Sequence, residues 1–528
     1  MGTNTKVIGT QKGEPKRQYY DLDTINTVKI DFDNGNGLYG RENIVINVGV
    51  EEFRANPCQV IKDNLGHILS VHKKNCTEME YLKNFHKGKQ DILDKIRANN
   101  DTKINNKHVS NYAWEFVSFK KGYYVGKPIK YVDLNTEENS QMKYLSRYMR
   151  DVKKSSKDLT KYENMLIMGI AHTMVQPVKT TINNEYQSPY TYTVLDNKDV
   201  CVVKSSDIYK TKLFSMCISR MVEDDGTGYY VYTVYYDDKS IQLKHKDNDL
   251  EIISQRKEPI SNCITEYQFN EQRMGVFEPV IIALNSLNKM TSDQLDQLEE
   301  SINAYLTFEN VDISSILENI DDFRRKRILA VNTTDPNAPA KIGSVKVDIE
   351  QTSVNNKYND LKQETYDIVA VPMPTSSTGQ GVSGEAQVYG GGWENAQTIA
   401  SVDTQYIMQY EQEDLYKFIE VSNNLPNSKL NNLIPTDIEV KYTINKSNNM
   451  MVKAQSLKYF VDNGFTREQA LMFCEITDDP QNEGKIADDN ADLQKQKVVE
   501  LELEKMKKEK ELEKQYSNEN ENKEVIEK

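Results

Sequence analysis

No stretch of this chain approaches the roughly 20 consecutive apolar residues that a membrane-spanning helix requires, so a transmembrane reading has nothing to rest on. The opening residues Met-Gly-Thr-Asn-Thr-Lys lack the apolar core of a secretion signal. Cysteine is sparse: Cys58, Cys76, Cys201, Cys217, Cys263 and Cys474 are the only six in 528 residues, and no two stand at CxxC or zinc-finger spacing. That argues against a disulfide framework or a structural zinc site and for reduced, structural thiols. A soluble chain made in the cytosol is the expectation. Histidine is scarce too. His67, His72, His86, His108, His172 and His245 include no HExxH and no pair on one helix face beside a carboxylate, so no metal centre is expected.

An excess of basic charge is also missing. The 66 Lys and Arg stand against 80 Asp and Glu, a formal net charge of −14. A generic nucleic-acid binder needs clustered cations to displace the counterions of phosphate, so that class is set aside. The acidic balance fits either plain solubility or a wall along which a polyanion slides without sticking.

Motifs for chemistry fail on their own terms. Gly122-Tyr-Tyr-Val-Gly126-Lys127 has three residues between its glycines where a phosphate-binding loop has four, and Pro128 stands where Ser or Thr would hold magnesium. Gly379-Gln-Gly381-Val-Ser-Gly384 matches GxGxxG but follows two prolines instead of a strand. Asp31-Phe-Asp33-Asn-Gly-Asn36-Gly37, with Glu42, carries Asn36 where a calcium loop needs glycine. Asp224-Asp225 and Asp237-Asp238 sit at turns, where aspartate bonds the local backbone. A carboxylate-based nuclease would need acids clustered for a divalent cation, and no such spacing occurs. No catalytic residue, metal or cofactor is expected, and the chain does not read as an enzyme.

What the chain has in abundance is tyrosine, 31 residues. An apolar ring with a polar tip suits half-buried strands and subunit contacts. Length alone suggests several domains. Residues 1 to about 55 read as polar and irregular. Helical spacing places helices at about 77–98 (Tyr81, Leu82, Phe85, Ile92, Leu93, Ile96), 108–120 and 138–153 (Met142, Leu145, Tyr148, Met149). From about 163 to 272 the texture turns to strands, clearest in Tyr-Tyr-Val-Tyr-Thr-Val-Tyr-Tyr at 229–236, with 190–204 and 212–222 similar. An α+β unit built on antiparallel strands is expected there.

The most regular helical signal follows. Phe277, Ile281, Leu284, Asn288, Thr291, Leu295, Leu298, Ile302 and Tyr305 recur at alternating spacings of four and three. A helix of about 30 residues spans roughly 45 Å and needs neighbours along its length. Asp293, Asp296 and Glu300 share another face, either a solvated surface or an acidic stripe facing a channel. Residues 308–353 read as an α/β insert with a short helix (Ile313–Phe323), a basic knot (Arg324, Arg325, Lys326, Arg327) and strand-like pieces at Ile328–Val331 and Ser344–Ile349. A returning helix at about 355–371 presents Tyr358, Leu361, Thr365 and Ile368 on one face and stops at Pro372 and Pro374. Thr375, Ser376, Ser377, Thr378, Gly379, Gln380, Gly381, Val382 and Ser383 form a flexible, small-residue stretch. Then come a long helix at 393–421, a strand at 436–446, a helical hairpin at 450–463 and 466–476 around Asn463-Gly464-Phe465, and a charged helix at 480–515. Residues 516–528 are mostly Asn, Glu and Lys and are expected to bury too little surface to fold.

Several segments, in this order, resemble the portal proteins of long-tailed, double-stranded-DNA phages of Gram-positive hosts. They are Tyr81-Leu-Lys-Asn-Phe-His-Lys-Gly88 with Ile92; Asn111-Tyr112 followed by Gly122-Tyr123-Tyr-Val-Gly126-Lys-Pro128-Ile129-Lys-Tyr131; and Met168-Gly169-Ile-Ala171. Phe277-Glu-Pro-Val280 with Leu284, Leu287-Asn288, Ser292-Asp293, Glu299 and Ala304-Tyr305-Leu306 follows. Last come Ser383-Gly384-Glu385-Ala386 with Gly392-Trp393 and Ala396, and Gly464-Phe465-Thr466 with Asp478-Asp479-Pro480 and Glu483. The run Gly390-Gly391-Gly392 is longer than the family pattern, and the first ~75 residues match nothing in it.

The resemblance implies a portal-type α+β architecture. Its parts would be an N-terminal arm (1–75), a wing of helices and antiparallel strands (76–275), a first stem helix (276–307), an α/β clip (308–353) and a second stem helix (354–372). A tunnel loop region (373–392), a wing helix with its connector (393–449), a helical crown (450–515) and a disordered tail (516–528) would complete it. It further implies a twelve-membered ring at one capsid vertex of the virion, a conduit for packaging and ejecting double-stranded DNA. Partners would be the terminase large subunit, a head-completion adaptor, and the major capsid and scaffolding proteins, with no membrane. Thr375–Ser383 would lie beside the DNA. The knot Arg324–Arg327 would touch phosphate, the packaging motor or the adaptor, or else balance Asp321 and Asp322. A scaffolding or other phage structural protein would also be acidic and helical, but would not need the long helix and its returning partner.

Overall fold

The computed structural model describes residues 40–97, 104–134, 140–178, 187–223, 228–246, 249–302, 305–310, 335, 338–339, 341–345, 351–373, 392–425, 429–431, 433–444, 450–474, 476–477 and 480–526. It divides into two compact units, one through Asn445 and one from Lys446.

The first unit opens with β1 (Ile44–Ile46), α1 (Val50–Ala55) and α2 (Pro57–His86). Here the expectation of an irregular arm up to about residue 55, and of a peripheral segment up to 75, is corrected where the chain is described. Ile44, Ile46, Phe53, Ile61, Leu65 and Ile68 are core residues. The helix expected at 77–98 is the last third of α2. Pro57 starts it, because the first helical position gives up an amide that has no partner inside the helix. The helix stops at His86 and a short 3₁₀ turn follows at Asp91–Asp94.

Next come α3 (Tyr112–Val125), β2 (Lys130–Asp133), α4 (Ser140–Asp151) and α5 (Lys154–Met168). Eight strands follow: β3 (Ile170–Pro177), β4 (Tyr190–Leu195), β5 (Val200–Ser205), β6 (Lys212–Val222), β7 (Gly228–Tyr236), β8 (Lys239–Lys246), β9 (Asp249–Lys257) and β10 (Ile264–Gln268). The turn to strands thus begins at 170 and not at 163, because α5 runs on until Gly169 closes it in the left-handed conformation.

Six strands form one sheet in the order β1-β5-β6-β7-β8-β9, with β1 parallel to β5 and the other neighbours antiparallel. Alternation decides its faces: Tyr232, Val234 and Tyr236 of β7 and Ile241 and Leu243 of β8 point to the core that α1 and α2 cover. A second sheet has the order β10-β3-β4.

The chain then forms α6 (Ile281–Ile302), β11 (Tyr305–Glu309), β12 (Lys341–Val345), α7 (Gln351–Val369), α8 (Trp393–Asn423) and β13 (Ile438–Lys441). β11 pairs with β12 and β13 pairs with β2, both antiparallel. α8 belongs to two cores. Ala400 and Ile407 join the cluster of Phe85, Phe116, Tyr162, Phe277 and Tyr366, while Leu415, Phe418 and Ile419 join that of Tyr190, Tyr192 and Ile438. Part of the tyrosine surplus goes here: Tyr124, Tyr162, Tyr190, Tyr192, Tyr267 and Tyr366 are among the largest fully buried side chains, and Tyr232 joins them from the core of the six-stranded sheet.

The second unit contains α9 (Met450–Asp462), α10 (Arg467–Cys474) and α11 (Pro480–Ile526). The hairpin turns at Gly464, whose φ of 89° favours glycine, and Phe460 meets Phe465 and Phe473 at ring-centroid distances of 5.4 and 5.8 Å. In the stretch 516–528, expected to bury too little surface to fold, the backbone of α11 runs on to Ile526. Glu and Lys are good helix formers, and extending an existing helix avoids the cost of a new nucleus.

Candidate functional site

The long stripe of the sequence resolves into three parts. Glu278–Val280 is a 3₁₀ turn, α6 has 22 residues, and Tyr305, the last member of the stripe, lies in β11. The root is apolar and buried: Phe277, Ile281, Leu284 and Leu287. Further along, the buried line leaves the expected seam. Leu295 and Leu298 are 38% and 56% exposed, and the buried positions are Asn288, Ser292 and Asp296. A spacing of 3.5 drifts by about 20° per heptad on a straight helix of 3.6 residues per turn, so the seam slides off the covered face.

What covers that face is a strap formed by residues 88–97 and 104–111. Extended backbone advances about 6.6 Å per two residues and a helix about 6 Å per four. Alternate amides of the strap therefore meet every fourth residue of α6. Ser110 N–H donates to Asn288 Oδ1 (2.8 Å), His108 N–H to Ser292 Oγ (2.9 Å) and Asn106 N–H to Asp296 Oδ1 (2.6 Å). Lys95 Nζ binds Asp293 (2.6 Å) and Asp296 (2.9 Å), and Asn106 Nδ2 donates to Asp296 and Glu299. Burial would push the Asp296 carboxyl up, but the Asn106 amide and Lys95 outweigh it and hold it below the usual carboxylate value. Of the expected acidic stripe, Asp296 is therefore corrected. It faces neither solvent nor a channel in this chain but is buried on the strap. Asp293 is 44% exposed at its side chain and shares Lys95, and the side chain of Glu300 lies outside the described residues.

α7 returns beside α6. Tyr112 and Tyr358 hydroxyls meet at 2.9 Å, Gln294 Nε2 donates to Asn355 Oδ1 (3.3 Å), and Tyr366 stands edge-on to Phe116 at 5.0 Å. Of the expected face, Tyr358 and Leu361 are half-buried and Thr365 is buried, but Ile368 is exposed and Tyr366 and Val369 are buried instead. The β11–β12 ladder, from Tyr305↔Val345 to Glu309↔Lys341, holds the outgoing and returning chain together at the base of the insert. The second strand-like piece, expected at Ser344–Ile349, is seen as Lys341–Val345. The insert helix, Ile328–Val331, the knot Arg324, Arg325, Lys326, Arg327 and the stretch Thr375–Ser383 lie outside the described residues.

Two features at the α6 root and behind it went unread in the sequence. Three glycines meet the turn that leads into α6. Gly40 lies against Gln272, Gly169 against Arg273, and Gly275 against Ile167, each closer than a Cβ would allow. Arg41 crosses to Glu278 (2.5 Å) with both side chains fully buried. Behind the junction, α5 and α8 share a buried charge cluster. Lys154 Nζ binds Asp158 (2.8 Å) and Glu411 (2.9 Å), Lys161 also donates to Glu411, and Tyr131 OH reaches Glu411 at 3.2 Å. Asp414, one turn on, accepts from Thr173, Thr265 and Tyr267 hydroxyls. The spacing Lys154, Asp158, Lys161 on one helix face was the available signal; its partner on α8 is 250 residues away.

Each of these acids is answered by a lysine or a set of hydroxyls, an arrangement for holding elements together. Among the described residues no group of His, Cys, Asp and Glu could hold a metal ion, and no helix is long and apolar enough to cross a membrane. Segments singled out far apart in the sequence meet here: Trp393, at the start of α8, packs on Phe119 (5.7 Å) and Tyr123 (6.3 Å) of α3.

The comparison with curated proteins found no match. The family described as "Phage portal protein, SPP1 Gp6-like" matches residues 65–516, a span that takes in α3, the strand region, α6, α7, α8 and most of the second unit. The chain therefore belongs to the SPP1 Gp6-like phage portal protein family.

Proposed function

We propose that copies of this chain form a ring, of twelve subunits, at one capsid vertex of a long-tailed phage of a Gram-positive host. DNA enters and leaves through its hole. In this reading α6 and α7 are the stem pair, 308–353 the clip, and residues from about 450 the crown. The clip meets the terminase large subunit during packaging and a head-completion adaptor afterwards, and the ring's periphery meets the major capsid and scaffolding proteins. Thr375–Ser383 lie beside the DNA.

The observation that carries the reading is the portal-family match along 65–516. The geometry supports it. Two helices flank the insert, whose base is the β11–β12 ladder, and exposed Leu295 and Leu298 suit contact with a neighbouring copy. The acidic balance suits a sleeve, since twelve copies at −14 each would repel the duplex and let it slide. Energy for movement comes from a separate ATPase.

Negative-stain microscopy of the purified full-length chain tests this. Turbine-shaped rings with a central hole are expected; monodisperse single chains at all concentrations would end the proposal. Replacing Arg324, Arg325, Lys326 and Arg327 together with alanine should leave the rings intact and lower DNA packaging or tail joining at least about tenfold, as expected when charge-assisted contacts are lost. Rings that fall apart would assign the knot to architecture instead.

A further inference from the structure

α6 is attached by two different means. Its first half is fixed by apolar burial, through Ile281, Leu284 and Leu287. Beyond Asn288 the buried positions are polar and meet the strap, while Gln294 on another side of this half donates to Asn355 of α7 (3.3 Å). The near contacts include no lysine: Gln90 Oε1 accepts from Asn288 Nδ2 (2.5 Å), and the Asp91 carboxylate accepts from Tyr81 OH (2.8 Å) and Asn285 Nδ2 (2.8 Å). The far contacts converge on one buried carboxylate, Asp296, held by Lys95 and twice by Asn106. The two legs of the strap are also tied to each other, by Asn105 Nδ2 to Lys95 O (3.1 Å) and Lys107 Nζ to Leu93 O (2.5 Å).

We infer that Lys95, Asn106 and Asp296 form a latch that sets the direction of the distal half of α6 independently of its core-anchored root, and through it the placement of the β11–β12 base. The three are positioning residues. Breaking the latch frees residues from about 292 onward while the root stays docked. Apolar burial does not do the same work, because Leu295 and Leu298 are exposed. The inference concerns the single chain and stands apart from the ring reading.

Hydrogen–deuterium exchange on the full-length protein tests it, comparing amides of 281–288 with those of 293–302. Lys95→Gln and Asn106→Ala should each speed exchange of the distal amides about tenfold or more and leave the root amides at parental rates, and Lys95→Arg should retain protection. Equal acceleration of both halves would show that the contacts merely add to global stability, and unchanged distal rates would show no latch; either result overturns the inference. If Lys95→Gln does not fold, Ser292→Ala removes one neutral link and should raise distal exchange alone by a few-fold, while uniform or absent change again counts against it.

Discussion

Glu411→Ala is expected to cost about 3–5 kcal/mol of folding stability, the range seen when one partner of a buried ion pair is removed. The Glu411 side chain is fully buried between Lys154 and Lys161, which are buried as well. Alanine would leave two lysines facing Asp158 alone. Thermal or denaturant unfolding reads the loss, and a change within about 0.5 kcal/mol, the size of an ordinary surface substitution, would refute the assignment. Glu411→Gln keeps the shape and one acceptor without the charge and should fall between the two. The pH dependence has a definite sign. Burial pushes the Glu411 carboxyl up, but Lys154 and Lys161 outweigh it and bring it down to about 2. A carboxyl depressed in the folded state contributes its stability above its unfolded value, ~4.3. That contribution is lost as pH falls from there through about 2. The parent should therefore lose stability across this window by an increment that Glu411→Ala lacks.

Gly169→Ala should be comparably damaging, at about 2–5 kcal/mol from the left-handed strain and the forced repacking together. Gly169 sits at φ 79°, and a Cβ there would lie 2.0 Å from the carbonyl oxygen of Arg273. Neither side can retreat easily. Gly169 N–H is bonded to Met165 O and its carbonyl to Phe269 N–H, while Arg273 O accepts from Arg41 N–H. The substitution would pry α5 from the turn that leads into α6. Gly122→Ala is the control: it lies in α3 with nothing within 4 Å of the new Cβ, and alanine should be neutral or stabilise by about 0.5–1 kcal/mol. If the two variants melt alike, the junction is looser than the geometry implies.

Much of the architecture was legible because periodicity reports burial directly. The strand run at 229–236, the return helix and the hairpin at Gly464 came through from local pattern alone. The failures have physical causes. α2 hides its start, since Val60, Ile61, Leu65, Ile68 and Leu69 are interleaved with Lys, Asp, Asn and His on a helix whose partner sheet, apart from β1, lies more than a hundred residues later. The α6 seam, interrupted at Asn288 and Thr291, was carried on to Leu295 and Leu298 because spacing was read at 3.5, whereas the buried face continues from Asn288 to Ser292 and Asp296 for a strap whose fit depends on backbone amides, which carry no sequence signal. Asp296 looked like a surface acid for the same reason. The portal resemblance rested on short segments in order, and the match over 65–516 upholds the family while leaving the clip knot and tunnel stretch to experiment.

The pairing of β2 with β13 joins residues 130–133 to 438–441. During synthesis, then, the first unit has no closed form until Lys441 has cleared the ribosome, and α8, which completes two of its cores, arrives almost as late. The nascent chain must carry the unpaired edge of β2 and the half-covered faces of two cores through most of its translation. Any stall before residue 441 would leave these surfaces exposed on an intermediate for chaperones to hold.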